Sequence, residues 1–283
     1  MFVYFTAAAV LFCYLNDLQW VVDEIIGFGL FFALGLGGAI VANATGAGGG
    51  VVFIPAFSSL GLYPSQVLAT SILIQCFGMS AGAISWFISF KNRAVIFQRY
   101  QQFMVKAVIT ATLSSVTGAL LSQWFFHFGA RLPMLTLFSL LSIFFGLTLL
   151  VSIFYSESKS FFPKAVMSKG DYILLIPICF VGGVITSTIS VGVGECLLVL
   201  LFLRRFPMQV SIFVAVCVSA INVIVCAPYQ VFIAQSVAWD VVFFAAPAAL
   251  VGGILGRFFA LKLGASRVKV FCAVWILATG IAM

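Results

Sequence analysis

The chain has 283 residues, of which 64% are hydrophobic and only 7% charged, with a mean hydropathy of +1.24. A soluble domain carries roughly a quarter charged residues to wet its surface, so this composition excludes a water-solvated fold and makes lipid the solvent. The net charge of +7 would suggest a nucleic-acid partner in a soluble protein, but here the basic residues flank apolar segments, where they set membrane topology.

Taken in chain order, Phe2–Leu15 reads as an uncleaved first helix, because it lacks the basic start and cleavage site of a signal peptide. Residues 25–90 then contain no Asp, Glu, Lys, Arg or His. A crossing needs about 20 apolar residues, so this run holds several passes. It is too unbroken and too glycine-rich for alternating outer-membrane strands. The expected elements of this first part are a helix over 25–45, a glycine tip at Gly46–Gly50 and a short apolar arm to Leu62. Helices over 66–90, 105–128 and 132–155 follow, then a connecting loop over 156–170.

The second part repeats that order. A helix over 172–190 leads to a tip at Gly192-Val193-Gly194-Glu195 and an arm over 196–203, then helices over 208–232, 240–257 and 266–283. Both tips follow a Gly-Gly pair (Gly37-Gly38, Gly182-Gly183), and both arms end in an aromatic-Pro-x-Gln-Val motif at Tyr63–Val67 and Phe206–Val210. Gly118-Ala119-Leu120-Leu121 is echoed by Gly252-Gly253-Ile254-Leu255. A shared order of matches points to an internal duplication, with repeat one over 25–155, repeat two over 171–283 and residues 1–24 outside both.

Charge orients the halves. Lys91, Arg93, Arg99 and Lys106 crowd the segment after the 66–90 helix, whereas the equivalent segment of the second half, 232–239, has no basic residue. The basic segment of the second half comes one crossing later, at Arg257, Lys262, Arg267 and Lys269. With basic loops inside, the two halves take opposite orientations, a plan met in secondary transporters with interrupted helices. The fold expected is thus an all-α polytopic integral membrane protein with two inverted-topology repeats and broken, re-entrant glycine-rich helices, multi-pass in a cell (plasma or inner) membrane.

The arms are too short to cross: thirteen residues from Gly50 to Leu62 reach about 20 Å as helix, against a core of roughly 30 Å. They read as returning half-helices whose glycine tips meet near the midplane. A glycine turn feeding a helix N-terminus offers free N–H groups and a positive dipole end, which suit an anion. The candidate substrate-binding residues are therefore Thr45, Gly46, Gly48, Gly49 and Gly50 at the first tip, and Ser190, Gly192 and Gly194 at the second. Glycines elsewhere, such as Gly27, Gly29, Gly35, Gly37, Gly38, Gly118, Gly252 and Gly253, read as helix-packing sites. Glu195, the one acid outside the loops, is either a proton-coupling group or a fixed anion capping the second half-helix. Asn43, Gln75, Ser187 and Asn222 read as helix-to-helix hydrogen-bonding residues.

No cofactor and no metal is expected, because the seven cysteines lack metal-ligand spacing and only His127 could join them. The partners are a small anionic substrate and the lipid bilayer, with no nucleic acid; a homo-oligomer stays open. Transport of another small solute is the near alternative, and two other classes rival transport itself. An intramembrane enzyme would need a nucleophile with a base or a metal cluster inside the bundle. A non-transporting membrane assembly or partner subunit would not need duplicated helix-breaking tips.

The motif Gly46-Ala47-Gly48-Gly49-Gly50 with Pro55, then Tyr63-Pro64-Ser65-Gln66-Val67-Leu68-Ala69-Thr70-Ser71, resembles the sulfite exporter TauE/SafE family. Trp239-Asp240 and Gly252–Gly256 resemble that family's later signature. The resemblance runs from about Ile25 to the C-terminus. It implies a permease for sulfite or small sulfonates such as sulfoacetate. Two departures stand out: Glu195 and Cys196 occupy positions where the family commonly has glycines, and Leu201 stands opposite Pro55.

Overall fold

A computed structural model describes residues 18–125, 134–157, 164 and 166–283; the expected first helix over 2–15 and His127 lie outside them. Among the described residues ten helices follow in chain order: α1 Leu18–Thr45, α2 Gly50–Ser59, α3 Pro64–Lys91, α4 Ala94–Phe125, α5 Met134–Glu157, α6 Lys169–Ile189, α7 Val193–Leu203, α8 Met208–Pro228, α9 Trp239–Leu263 and α10 Ala265–Ala282. A wide π-turn, Tyr229–Ile233, extends α8. Five of these elements (α3, α4, α6, α8 and α9) are long and apolar enough to cross a membrane. The chain is a polytopic helical membrane protein.

Three boundaries differ markedly from expectation, the first being α1, which begins at Leu18 rather than 25. α4 begins at Ala94 rather than 105, so Arg99 and Lys106 sit on a helix and not in a loop. The reason is an amphipathic start: Tyr100, Phe103, Met104 and Ala107 are buried at helical spacing, while Gln98, Arg99, Gln101, Gln102 and Lys106 face out. α9 likewise continues to Leu263, which places Arg257 and Lys262 on its last turns.

Glycine contacts hold the bundle. Gly252 of α9 lies against the Leu36 carbonyl of α1, and Gly253 against the Gly78 carbonyl of α3. Gly118 of α4 meets Phe180 of α6, and Gly183 of α6 meets Ser115 of α4. With α5 on α10, α3 on α8 and α4 on α8, these pairings map onto themselves when the first five helices are exchanged for the last five. Without a hydrophobic drive between helices in lipid, such close backbone approach supplies the dispersion contact. Gly29 and Gly37 depart from the packing reading, since a Cβ at either would meet nothing within 4 Å. Gly280→Ala, whose Cβ would stand 2.9 Å from Ile143 N and Ser142 Cβ, is expected to destabilise by about 1 kcal/mol. Gly37→Ala should instead stabilise by about 0.5 kcal/mol through helix propensity. Thermal unfolding in detergent reads both.

One end of the bundle gathers charge. Arg204 and Lys164 pair with the Asp171 carboxylate, the Lys164 N–H donates to the Arg205 carbonyl at 3.1 Å, and Arg93 donates to Gln209 at 3.2 Å. At the other end the Ala238 N–H donates to the Thr70 hydroxyl at 3.0 Å, and Trp124 meets Tyr229 edge-on. α3 runs between the two ends.

Candidate functional site

The backbone that builds the first tip recurs in the second at a constant interval of 144 positions, which sets Val199 rather than Leu201 opposite Pro55 and Glu195 opposite Val51 rather than a tip glycine. Gly46 and Ser190 both end a helix with a left-handed residue (φ 81 and 60), each N–H donating back one turn, to Ala42 and Thr186, at 2.8 Å. The arms close alike: Gly61 and Arg205 are both left-handed (φ 83 and 66). The Leu62 and Phe206 N–H groups then reach back to Phe57 and Leu201 at 3.2 and 3.0 Å. At Arg205 and Ser190 the strained conformation is kept without glycine, which argues for a required geometry.

α2 and α7, with 10 and 11 residues, are about 15–17 Å long, half a bilayer core. Their C-termini lead to opposite ends of the bundle, α2 into the start of α3 at Pro64 and α7 into the Arg204–Asp171 cluster. Their N-termini meet. A Cβ on Gly194 would stand 2.8 Å from the Gly46 carbonyl oxygen, and one on Gly50 would press on the Ser190 carbonyl.

Glu195 joins the two tips. It is 0% exposed; Oε1 accepts the Gly48 N–H of the first tip at 2.8 Å, and Oε2 accepts the Gly192 N–H of its own tip at 2.8 Å. A carboxylate at the third position of α7 thus reaches back to the N-cap N–H, as in half of a capping box, while its other oxygen serves the opposite helix. Two positive helix ends and two backbone donors face one buried carboxyl group. Two further tip donors are met locally. The Ala47 N–H donates to the Thr45 hydroxyl at 3.2 Å, and the Val193 N–H to the Thr186 hydroxyl at 2.8 Å. Thr45 therefore braces its own tip, with its hydroxyl hydrogen on the Val41 carbonyl.

Ser190 is drawn into a polar knot that spacing did not reveal. Gln75 Nε2 donates to Ser190 Oγ at 2.7 Å and to Ser71 Oγ at 3.1 Å, and the two hydroxyls lie 3.0 Å apart. Gln75 also lines the first tip, its Cγ 2.8 Å from where a Cβ on Gly49 would stand. The structure thus brings Gly46, Gly48, Gly49, Gly50, Ser190, Gly192, Gly194 and Glu195 to one place and adds Ser71 and Gln75. The space beside the first tip, walled by Ala39, Asn43, Phe53, Gln75 and Ala249, is too narrow for a water molecule. The tips are closed on each other.

Membrane-crossing helices around two broken ones, with opposed N-termini converging on one buried carboxyl group, define a multi-pass membrane transport protein. The model of the sulfite exporter TauE/SafE family matches residues 30–283, nearly the whole chain, and the protein belongs to that family. No curated protein and no solved structure matches it.

Proposed function

We propose that this permease moves a small oxyanion, sulfite or a small organosulfonate, between the opposed tips of α2 and α7. One observation carries the reading: two helix N-termini already hold a carboxylate between them, through Gly48 and Gly192, in a fully buried place. Donors that stabilise a carboxylate also suit a sulfur oxyanion, because both present charged oxygens to N–H groups. The substrate takes the place of the Glu195 carboxylate when the tips part.

The chain is built as two inverted-topology repeats, 25–155 and 171–283, with the arginine-rich end and the 156–170 connection in the cytoplasm of a plasma or inner membrane. The constant 144-residue interval and the opposite headings of α2 and α7 support this plan. The positive-inside rule supports the orientation. Outward movement of a monoanion gains about 2.3 kcal/mol per 100 mV and needs no coupled ion, whereas uptake needs one, with Glu195 as the proton carrier.

The tight closure of the tips favours one rival, a membrane subunit that transports nothing. Liposomes loaded with sulfite separate the two. Release that follows an imposed potential, and that Gly49→Leu protein lacks, is the expected result. No release under any potential or pH gradient, from protein shown to be folded and inserted, would sink the sulfite assignment.

A further inference from the structure

Among the candidate spans, α8 with its π-turn is the most apolar, with a mean hydropathy of 2.6, and the most deeply buried. Polar residues nevertheless follow one face of it. Ser219, Asn222, Cys226 and Gln230 are spaced by three, four and four residues, so they stack along a single stripe. Ser219, Asn222 and Gln230 are buried to 3, 0 and 4% exposure.

Several of these groups lack what a structural role would give them. Asn222 Nδ2 has no hydrogen-bond partner, and its Oδ1 receives only the Cys226 thiol at 3.7 Å. Ser219 Oγ has no partner either, and it stands 2.9 Å from the position of a Cβ on Gly194, at the second tip. One turn beyond Asn222, Gln123 of α4 donates to the Cys226 carbonyl at 3.2 Å and leaves its own Oε1 without a partner. A buried polar atom left unpaired is destabilising, and an apolar residue of the same shape would be more stable. Three such atoms around one stripe call for a partner that this closed state does not contain. Asn43 differs in its donors, since its Nδ2 reaches the Ala39 and Gly78 carbonyls at 2.9 and 3.1 Å, although its Oδ1 is also unpaired.

The stripe also has a direction. From Ser219 to Gln230 is about 16 Å of helix, or half the hydrocarbon core, leading from the tips to the end opposite Arg204. It finishes at Pro228 and the π-turn, a helix irregularity that often marks functional places. Irregular backbone at this depth is tolerated where it is buried in protein or lines a wet cavity, and the unpaired atoms of this stripe point to the second.

We infer that the Ser219–Gln230 face of α8, with Gln123, lines the outer half of the path taken by a hydrated oxyanion. The inference rests on the permease reading above. The Asn222 amide and Ser219 hydroxyl donate to the oxyanion's oxygens, and Gln123 Oε1 accepts from its water.

Two experiments test it. Asn222→Leu protein should melt in detergent no lower than the parent, yet release sulfite from liposomes at least tenfold more slowly. Wild-type release by a stable Leu variant would overturn the inference. If that variant does not fold, cysteines at 222 and 123, each in a folded cysteine-free background, give the answer. A membrane-impermeant thiosulfonate reagent applied from the face opposite Arg204 should label both, and a small sulfonate should slow the labelling. No labelling at either position overturns the path. Labelling needs no cargo, so labelled cysteines in a protein that moves no sulfite would reject the cargo and keep the route.

Discussion

Glu195→Leu is expected to cost roughly 2–6 kcal/mol of stability and to abolish transport, with Glu195→Gln falling between it and the parent. The carboxyl group links both tips through hydrogen bonds to one side chain of α7, at 2.8 Å to Gly48 and 2.8 Å to Gly192. Leucine leaves two buried N–H groups unpaired, at about 1–3 kcal/mol each. Glutamine keeps one accepting oxygen and turns an NH2 donor towards the other N–H, so one donor is lost. The two variants therefore rank by the number of tip donors left empty.

The same geometry makes Glu195 a tethered competitor of the substrate. Removing its charge frees the donors for an external anion, so saturating sulfite should raise the melting temperature of the glutamine variant more than that of the parent. Ligand at about 100 times its Kd stabilises by about 2.7 kcal/mol, which a melting curve resolves. An equal or smaller shift in the variant would mean that substrate and Glu195 use different donors. Transport separates the two roles considered for this residue. A proton carrier predicts that the glutamine variant keeps potential-driven release and loses uptake driven by a pH gradient. A fixed capping anion predicts that both fall together.

The helices were legible because apolar runs the length of a bilayer have few other physical meanings, and the tips because glycine density recurred in order. What spacing could not supply was the contacts made across long intervals. Glu195 meets Gly48 over 147 residues, and Gln75 meets Ser190 over 115. No local pattern pairs those positions. The start of α4 was hidden by Arg93, Arg99 and Lys106, whose charges suggest a loop, although Tyr100, Phe103, Met104 and Ala107 carry helical spacing beneath them. Thr45 looked like a ligand but braces the Ala47 N–H. Asn222 looked like a helix-to-helix bond, yet its amide donors find no partner. A signal for it did exist, as an amide in the middle of the most apolar candidate span.

The glycines of the tips should not be equivalent, and their ranking tests whether close backbone approach is what the tips need. At Gly50 an added Cβ would press on the carbonyl of Ser190, which belongs to the opposite tip's backbone and cannot rotate away. Gly194, 144 positions later, is the counterpart: its Cβ would stand 2.8 Å from the Gly46 carbonyl oxygen and 2.9 Å from Ser219 Oγ. At Gly49 the obstacles are side chains, Gln75 Cγ at 2.8 Å and Phe53 Cε2 at 2.9 Å, which yield more cheaply. At Gly48 the nearest atom is Gln75 Oε1 at 3.4 Å, an ordinary contact, and the N–H given to Glu195 survives substitution. Overpacking typically costs about 1–3 kcal/mol, enough to move a closed–open equilibrium by roughly 10- to 100-fold. Gly50→Ala and Gly194→Ala should therefore lose transport by that order, Gly49→Ala by less, and Gly48→Ala least. Sulfite release from liposomes, measured on the four variants at matched insertion, reads the series. Four equal losses would mean that flexibility of the turns matters and their close approach does not. A severe loss at Gly48 alone would shift the weight from packing to the N–H that holds Glu195.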